Sequence, residues 1–157
     1  MKVTVISVGK VKESHYANLL ESYGRILERR IPFQAIEVAD EKAPENLSEA
    51  QKGQVKEREG ERILQQVRKE MTLVVLAIEG REWDTPKLER QMRTWADQGK
   101  PHVAFVIGGS LGVSEKVLAR GDLLLSFSKM TFPHQLMKVL LMEQLARVSP
   151  TCGRHGC

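Results

Sequence analysis

The sequence is poor in cysteine, in aromatic residues and in long apolar runs. Its two cysteines, Cys152 and Cys157, sit at the carboxyl end with His155 between them. That is too sparse for a disulfide framework and short of the ligands of a closed zinc site. No metal is expected. The longest stretch without Asp, Glu, Lys or Arg runs from Pro101 to Ser114 and is broken by glycines, below the roughly 18 apolar residues of a membrane span. Val3 to Val8 stops at Gly9-Lys10 without the length or cleavage pattern of a signal peptide. The expectation is a cytoplasmic protein with no membrane partner. Repeats and low-complexity segments are missing too. No phosphate loop of the G-x-x-x-x-G-K-[ST] kind and no G-x-S-x-G elbow occurs, and G-x-G-x-x-G would need glycine where Ile107 stands.

What is present is the composition of one compact domain over residues 1–157, with 41% apolar and 28% charged positions. Lys and Arg exceed Asp and Glu by 24 to 20. The surplus lies mainly after Glu70, where the count is 11 to 8 against 13 to 12 before it. A basic excess this mild permits an RNA partner without requiring one.

Lys2 to Val8 is rich in Val and Ile and predicts a strand closed by Gly9. Ser14 is a plausible amino cap, and Tyr16, Leu20, Tyr23 and Leu27 share one face of the helix that follows, until Pro32 breaks it. Phe33 to Val38 is a second strand candidate, and Asp40 to Asn46 reads as a loop. Gln51 to Lys69 is a charged helix. Its Lys52, Lys56, Glu57, Arg58 and Glu59 read as a solvated face, and Ile63, Leu64 and Val67 as its apolar end.

Met71 to Ile78, Val103 to Ile107 and Leu123 to Phe127 are continuous apolar runs, as in strands covered on both faces. Between them lie a helix opened by Thr85-Pro86 with a Leu88, Met92, Trp95 stripe, and a short helix from Ser114 to Arg120. The alternation predicts an α/β fold with a mostly parallel sheet flanked by helices. The last helix, Pro133 to Arg147, carries Leu136, Met137, Val139, Leu140, Leu141, Met142 and Leu145. Too apolar for one stripe, it must be covered on several sides, partly by a second copy in a homodimer.

Three loops follow the three buried strands: Glu79 to Trp83, Gly108 to Gly112, and Ser128 to Pro133. In open α/β sheets such loops converge on a ligand. The glycines alone fit a tight structural turn as well as a ligand loop. His134 fits a structural histidine or a base, and Trp83 and Trp95 fit core or base stacking. Acid-base equipment is scarce, which suits a cofactor that carries its own chemistry, such as S-adenosylmethionine.

Val8-Gly9-Lys10, Glu59-Gly60-Glu61, Trp83-Asp84-Thr85-Pro86, Ile107-Gly108-Gly109 with Gly112, and Thr131-Phe132-Pro133-His134 occur in that order. With these motifs in register, residues 1 to 147 resemble the ribosomal large subunit methyltransferase H family, the 23S rRNA pseudouridine N3-methyltransferases of the SPOUT superfamily. The resemblance implies a SPOUT-type α/β knot, with a carboxyl-terminal trefoil, and a homodimer. It implies S-adenosylmethionine held by Leu76, Gly108, Phe127, Ser128, Lys129, Met130, Thr131 and Phe132. The implied substrate is N3 of a pseudouridine in 23S rRNA, within the large subunit or the assembled ribosome.

The tail departs from the family. Its Tyr-Arg pair at the end of the last helix is Ala146-Arg147 here, residues 148–157 contain no Tyr, and His155 lies at a different spacing from the family histidine. Arg147 is therefore the candidate catalytic residue, holding an RNA phosphate or charge on the base, with a helix carboxyl cap as the alternative. Two further readings stay open: a SPOUT methyltransferase acting on another RNA, and a non-catalytic RNA-binding assembly factor that retains the pocket.

Overall fold

The structure, a computed structural model, describes residues 1–42 and 44–151. Cys152, His155 and Cys157, read above as too few for a metal site, lie outside the described residues. The elements are β1 (Lys2–Val8), α1 (Ser14–Arg30), β2 (Phe33–Val38), α2 (Glu49–Leu64), β3 (Thr72–Glu82), α3 (Thr85–Asp97), β4 (His102–Ile107), α4 (Glu115–Arg120), β5 (Leu123–Ser126) and α5 (His134–Val148). The sheet order is β2-β1-β4-β3-β5, and every pairing is parallel. The α/β architecture expected from the alternation is the one observed.

Side chains alternate across the strands and fill two cores. Val3, Val5, Val74, Val103 and Phe105 face Leu27 of α1, Met92 of α3 and Leu141 of α5. Ile6, Leu73, Val75, Ala104 and Val106 face Ile63 of α2 and Val117 of α4. A strand apolar on both sides is therefore buried on both sides. Trp95 belongs to the first core, so of the two readings open for it the structural one holds.

Several element boundaries differ from expectation. The amino cap of α1 is Glu13, and Ser14 is already helical. Helix α2 starts at Glu49 because Ser48 and Gln51 form a reciprocal capping box. The Gln51 N–H donates to Ser48 Oγ at 3.2 Å, and the Ser48 N–H to Gln51 Oε1 at 2.9 Å. It ends at Leu64, short of Lys69, where the chain tightens into bonds from Gln66 N–H to Ile63 O and from Val67 N–H to Leu64 O.

The largest difference is in β3. The expected loop from Glu79 is still strand as far as Glu82. After Leu76 the pairing slips, and Arg81 and Glu82 pair with Leu125 and Ser126 of β5. Gly80 permits this, since a Cβ there would lie 2.6 Å from the carbonyl carbon of Leu124.

On the opposite layer Gly60 lets α2 close on α4, where an added Cβ would overlap the Ser114 hydroxyl and press on Val117 at 3.2 Å. Ser114 cannot turn away cheaply, because its Oγ caps α4 by accepting the Val117 N–H at 3.3 Å. Gly60→Ala therefore sets a helix-propensity gain of about 1 kcal/mol against an overpacking cost of about 1–3 kcal/mol. The expected net effect is a loss of stability in urea denaturation. A more stable variant would mean that α2 is free to move off α4.

Candidate functional site

Strands β4, β3 and β5 are neighbours, so the segments at their carboxyl ends meet. They enclose a cavity of about 620 Å³. Its wall is made by Leu76 to Ile78 of β3, Ile107 to Gly112 after β4, Leu125 to Ser128, Met130 to Pro133, and His134 and Met137 of α5. Leu76, Gly108, Phe127, Ser128, Met130, Thr131 and Phe132 all line it. Lys129, the remaining residue of that expected set, is exposed and forms no part of the wall.

The glycine segment is a closed turn whose outside is cavity wall. The Gly112 N–H donates to Gly109 O at 3.0 Å, and Gly112 has φ +90°, which suits glycine. A Cβ on Gly108 would lie 2.7 Å from the backbone carbon and oxygen of Gly112. Of the two readings of these glycines, the structural turn is observed, and its outer side forms part of the cavity wall. The third segment is held by serines. Ser126 Oγ donates to Ser128 O at 2.9 Å, and the Met130 N–H donates to Ser128 Oγ at 3.0 Å.

A second cavity of about 400 Å³ adjoins the first, sharing Leu125, Phe127, Ser128 and Phe132, and reaches Trp83, Thr85, Leu140 and Gln144. Thr85 Oγ1 donates to Gln144 Oε1 at 2.7 Å across it. Within one chain, then, Met137 and Leu140 of the very apolar α5 face these cavities. Ile78 and Met130 stand at the wall of the larger one with 50% and 73% exposure.

Among the described residues no ionised side chain lines the larger cavity. Burial holds His134 below the ordinary histidine range, with Asp40 opposing weakly, so its imidazole is neutral at neutral pH. Among the described residues no group of three or more His, Cys, Asp or Glu is placed to hold a metal ion. No helix there is long and apolar enough to cross a membrane.

Arg147 is far from this wall. It stands ten residues beyond Met137, the last α5 residue of that wall, roughly 15 Å along the axis at about 1.5 Å per residue. Its side chain is 62% exposed and pairs with Glu143 one turn back. Nor does its side chain cap the helix end. That role belongs to Arg30 of α1, whose Nη1 donates to the carbonyls of Ala146 at 2.7 Å and Arg147 at 3.1 Å.

Glu59 corrects the solvated-face reading of α2, for it is only 4% exposed and lies behind the glycine turn. The alternating charges around it hid this. The available signal was Gly60 in mid-helix, where glycine costs stability unless something approaches closely.

Residues 1–151 match the family described as "Predicted SPOUT methyltransferase". The chain belongs to that family. Among curated relatives, the ribosomal RNA large subunit methyltransferase H of Shouchella clausii is 48% identical, and that of Bifidobacterium animalis subsp. lactis 47%. Each aligns over 147 residues, 94% of this chain and 92% of the relative. The protein of the same name from an Exiguobacterium species is 47% identical over the same span.

The two arginines of this helix end separate by mutation. Arg30→Ala strips two carbonyls of their donor and should cost about 1–2 kcal/mol in urea denaturation. Arg147→Ala breaks only an exposed i,i+4 pair and should cost under about 0.5 kcal/mol. Equal losses would return the capping role to Arg147.

Proposed function

We propose that this SPOUT methyltransferase transfers the methyl group of S-adenosylmethionine to N3 of a pseudouridine in 23S rRNA of the large ribosomal subunit, acting in the cytoplasm as a homodimer. The observation that carries the reading is the uncharged cavity at the three strand ends. Its volume, about 620 Å³, falls in the range of small-molecule sites. Its wall also suits the ligand. A sulfonium cation meets neutral His134 and no Lys or Arg there, and the exposed Lys129 keeps its ammonium outside. The curated relatives supply the substrate, since their name specifies large-subunit ribosomal RNA.

When bound, S-adenosylmethionine supplies an activated methyl for in-line displacement. The protein's share is orientation and exclusion of water. The Gly108 turn offers close backbone approach, and the serine-pinned segment from Ser126 to Met130 fixes the opposite wall. Arg147 would hold an RNA phosphate or the negative charge of the deprotonated imide. It does not reach the cavity of its own chain, so in this reading it serves the site of a second copy. The exposed Ile78 and Met130 beside the cavity give that copy, or the RNA, apolar surface to cover.

The test is methyl transfer to ribosomes, subunits and naked RNA from a strain lacking the modification, with the product base identified by mass. Methylated pseudouridine in 23S rRNA is expected. A different modified RNA would indicate another SPOUT substrate, and cofactor binding without transfer a non-catalytic RNA-binding factor. Gly108→Val should raise the Kd for S-adenosylmethionine by more than roughly tenfold, about 1.4 kcal/mol, while circular dichroism stays unchanged. Wild-type affinity in calorimetry would remove the turn from the site. Arg147→Ala should bind the cofactor normally. If it grips phosphate, KM for RNA rises, and if it stabilises charge, turnover at saturating RNA falls.

A further inference from the structure

Helix α2 meets the glycine turn from behind the cavity, and Gly60 sets how closely it can approach. Beside it, the Glu59 carboxyl fills the crevice between the carboxyl ends of β1 and β4. These neighbours connect onward to strands on opposite sides of the sheet, which makes the crevice the topological switch point. Glu59 Oε2 accepts the Glu41 N–H at 3.1 Å. Oε1 has no hydrogen-bond partner among the described residues. It is pressed against Gly109, where an added Cβ would lie 2.9 Å from it and 3.3 Å from Val8.

The surroundings decide what this group is. Asp40, Glu41 and Arg62 are the charged groups that bear on it. Arg62 is already committed, paired with the Glu41 carboxylate and donating to Ala39 O at 2.9 Å, and Arg58 reaches Glu41 at 3.9 Å. Ser114 at the cap of α4, Val117 of α4 and Val8 of β1 are the other side chains closest to Gly60 and Gly109, none of them ionisable. Burial raises the Glu59 pKa, Asp40 and Glu41 push the same way, and the Glu41 N–H and Arg62 only partly offset them. Filling space would not require a carboxyl, because an apolar side chain of similar size leaves no oxygen unpaired. What the carboxyl adds is a link. One oxygen fixes the loop after β2, and the other backs the turn after β4.

We propose that Glu59 is a positioning residue for the methyl-donor site, its carboxyl group bracing the Gly108–Gly112 turn through Gly109 and so setting where that wall of the cavity stands. The inference rests on the cavity being the donor site. A neutral acid can lie against the Gly109 Cα, whereas a carboxylate there demands solvation and pushes the turn outward. Donor affinity should therefore fall as pH rises from the ordinary carboxylate range through the raised value. Folding stability carries the same sign. The folded chain holds this proton more tightly than the unfolded one, so the contribution present at low pH is lost across that window.

The experiment measures S-adenosylmethionine binding by calorimetry across pH for wild type, Glu59→Gln and Glu59→Ala. Hydrogen-exchange protection of residues 108–113 is measured without ligand in the same samples. Glu59→Gln, neutral and close in shape, should lose the fall in affinity with rising pH and keep only the gain that deprotonation of His134 in the cavity wall gives. Glu59→Ala should bind roughly tenfold more weakly at every pH, the scale of one interaction of about 1.4 kcal/mol. Protection of the turn should decline with pH in wild type, stay level in Glu59→Gln and be low throughout in Glu59→Ala. Identical pH profiles for wild type and Glu59→Gln, or wild-type binding and protection in Glu59→Ala, would overturn the proposal. If no protein binds S-adenosylmethionine, wild type included, the donor reading falls and this role with it, while the protection data still report whether Glu59 braces the turn.

Discussion

At Gly80 an added Cβ would sit 2.6 Å from the carbonyl carbon of Leu124, and at Gly108 it would sit 2.7 Å from that of Gly112. Backbone touches backbone at both places. The first lets β3 run on past Leu76 beside β5, and the second folds the turn after β4 back on itself. Both lie at the carboxyl edge of the sheet, where the larger cavity forms. Its wall is consequently peptide and apolar side chain rather than ionised groups. Glycine in such places gives up more conformational entropy than any other residue. The two dense cores behind the sheet offset that cost.

Polar groups at both edges of the sheet tie segments distant in sequence. Lys138 of α5, buried one turn beyond His134, pairs with Glu37 of β2 at 3.0 Å. Arg120 donates to the carbonyls of Arg68 and Met71 at 3.1 and 3.0 Å, and the Leu73 N–H donates to Asp122 Oδ2 at 2.7 Å. Together these fix where β3 enters the sheet relative to α4 and β5. Buried ion pairs are weak evidence for stability, because desolvation offsets their attraction. Their effect here is geometric. Lys138 holds the cavity end of α5 against the sheet, as Arg30 holds its far end.

The parts legible in the sequence were those written in local pattern. Continuous apolar runs gave β3, β4 and β5, because a strand covered on both faces has no polar side to show. The extension of β3 was hidden, since Glu79, Gly80, Arg81 and Glu82 carry no such pattern and pair only because β5 comes close. Glu59 was hidden for a related reason. Charges that alternate along a helix resemble a solvated face whichever of them turns inward. Arg30 capping a helix 116 residues away has no local signal at all. The cavity wall was easier, because the strand ends fix three of its segments and the family motifs name residues within them.

The tail poses a different problem. The resemblance puts a tyrosine where Ala146 stands, yet Ala146 is only 5% exposed and its carbonyl is held by Arg30. A ring at this position would overpack the junction of α1 and α5 or dislodge the arginine. Small size at 146 and the α1 cap are thus mutually consistent, and changing one without the other sacrifices packing or the bond to the carbonyl. Among the described residues the larger cavity is lined by one chain, whereas Arg147 stands in the last turn of α5 with its side chain exposed and paired with Glu143. In the proposed reading a site that uses both takes them from two copies, and α5, running from His134 to Val148, is the spacer between the cavity and Arg147.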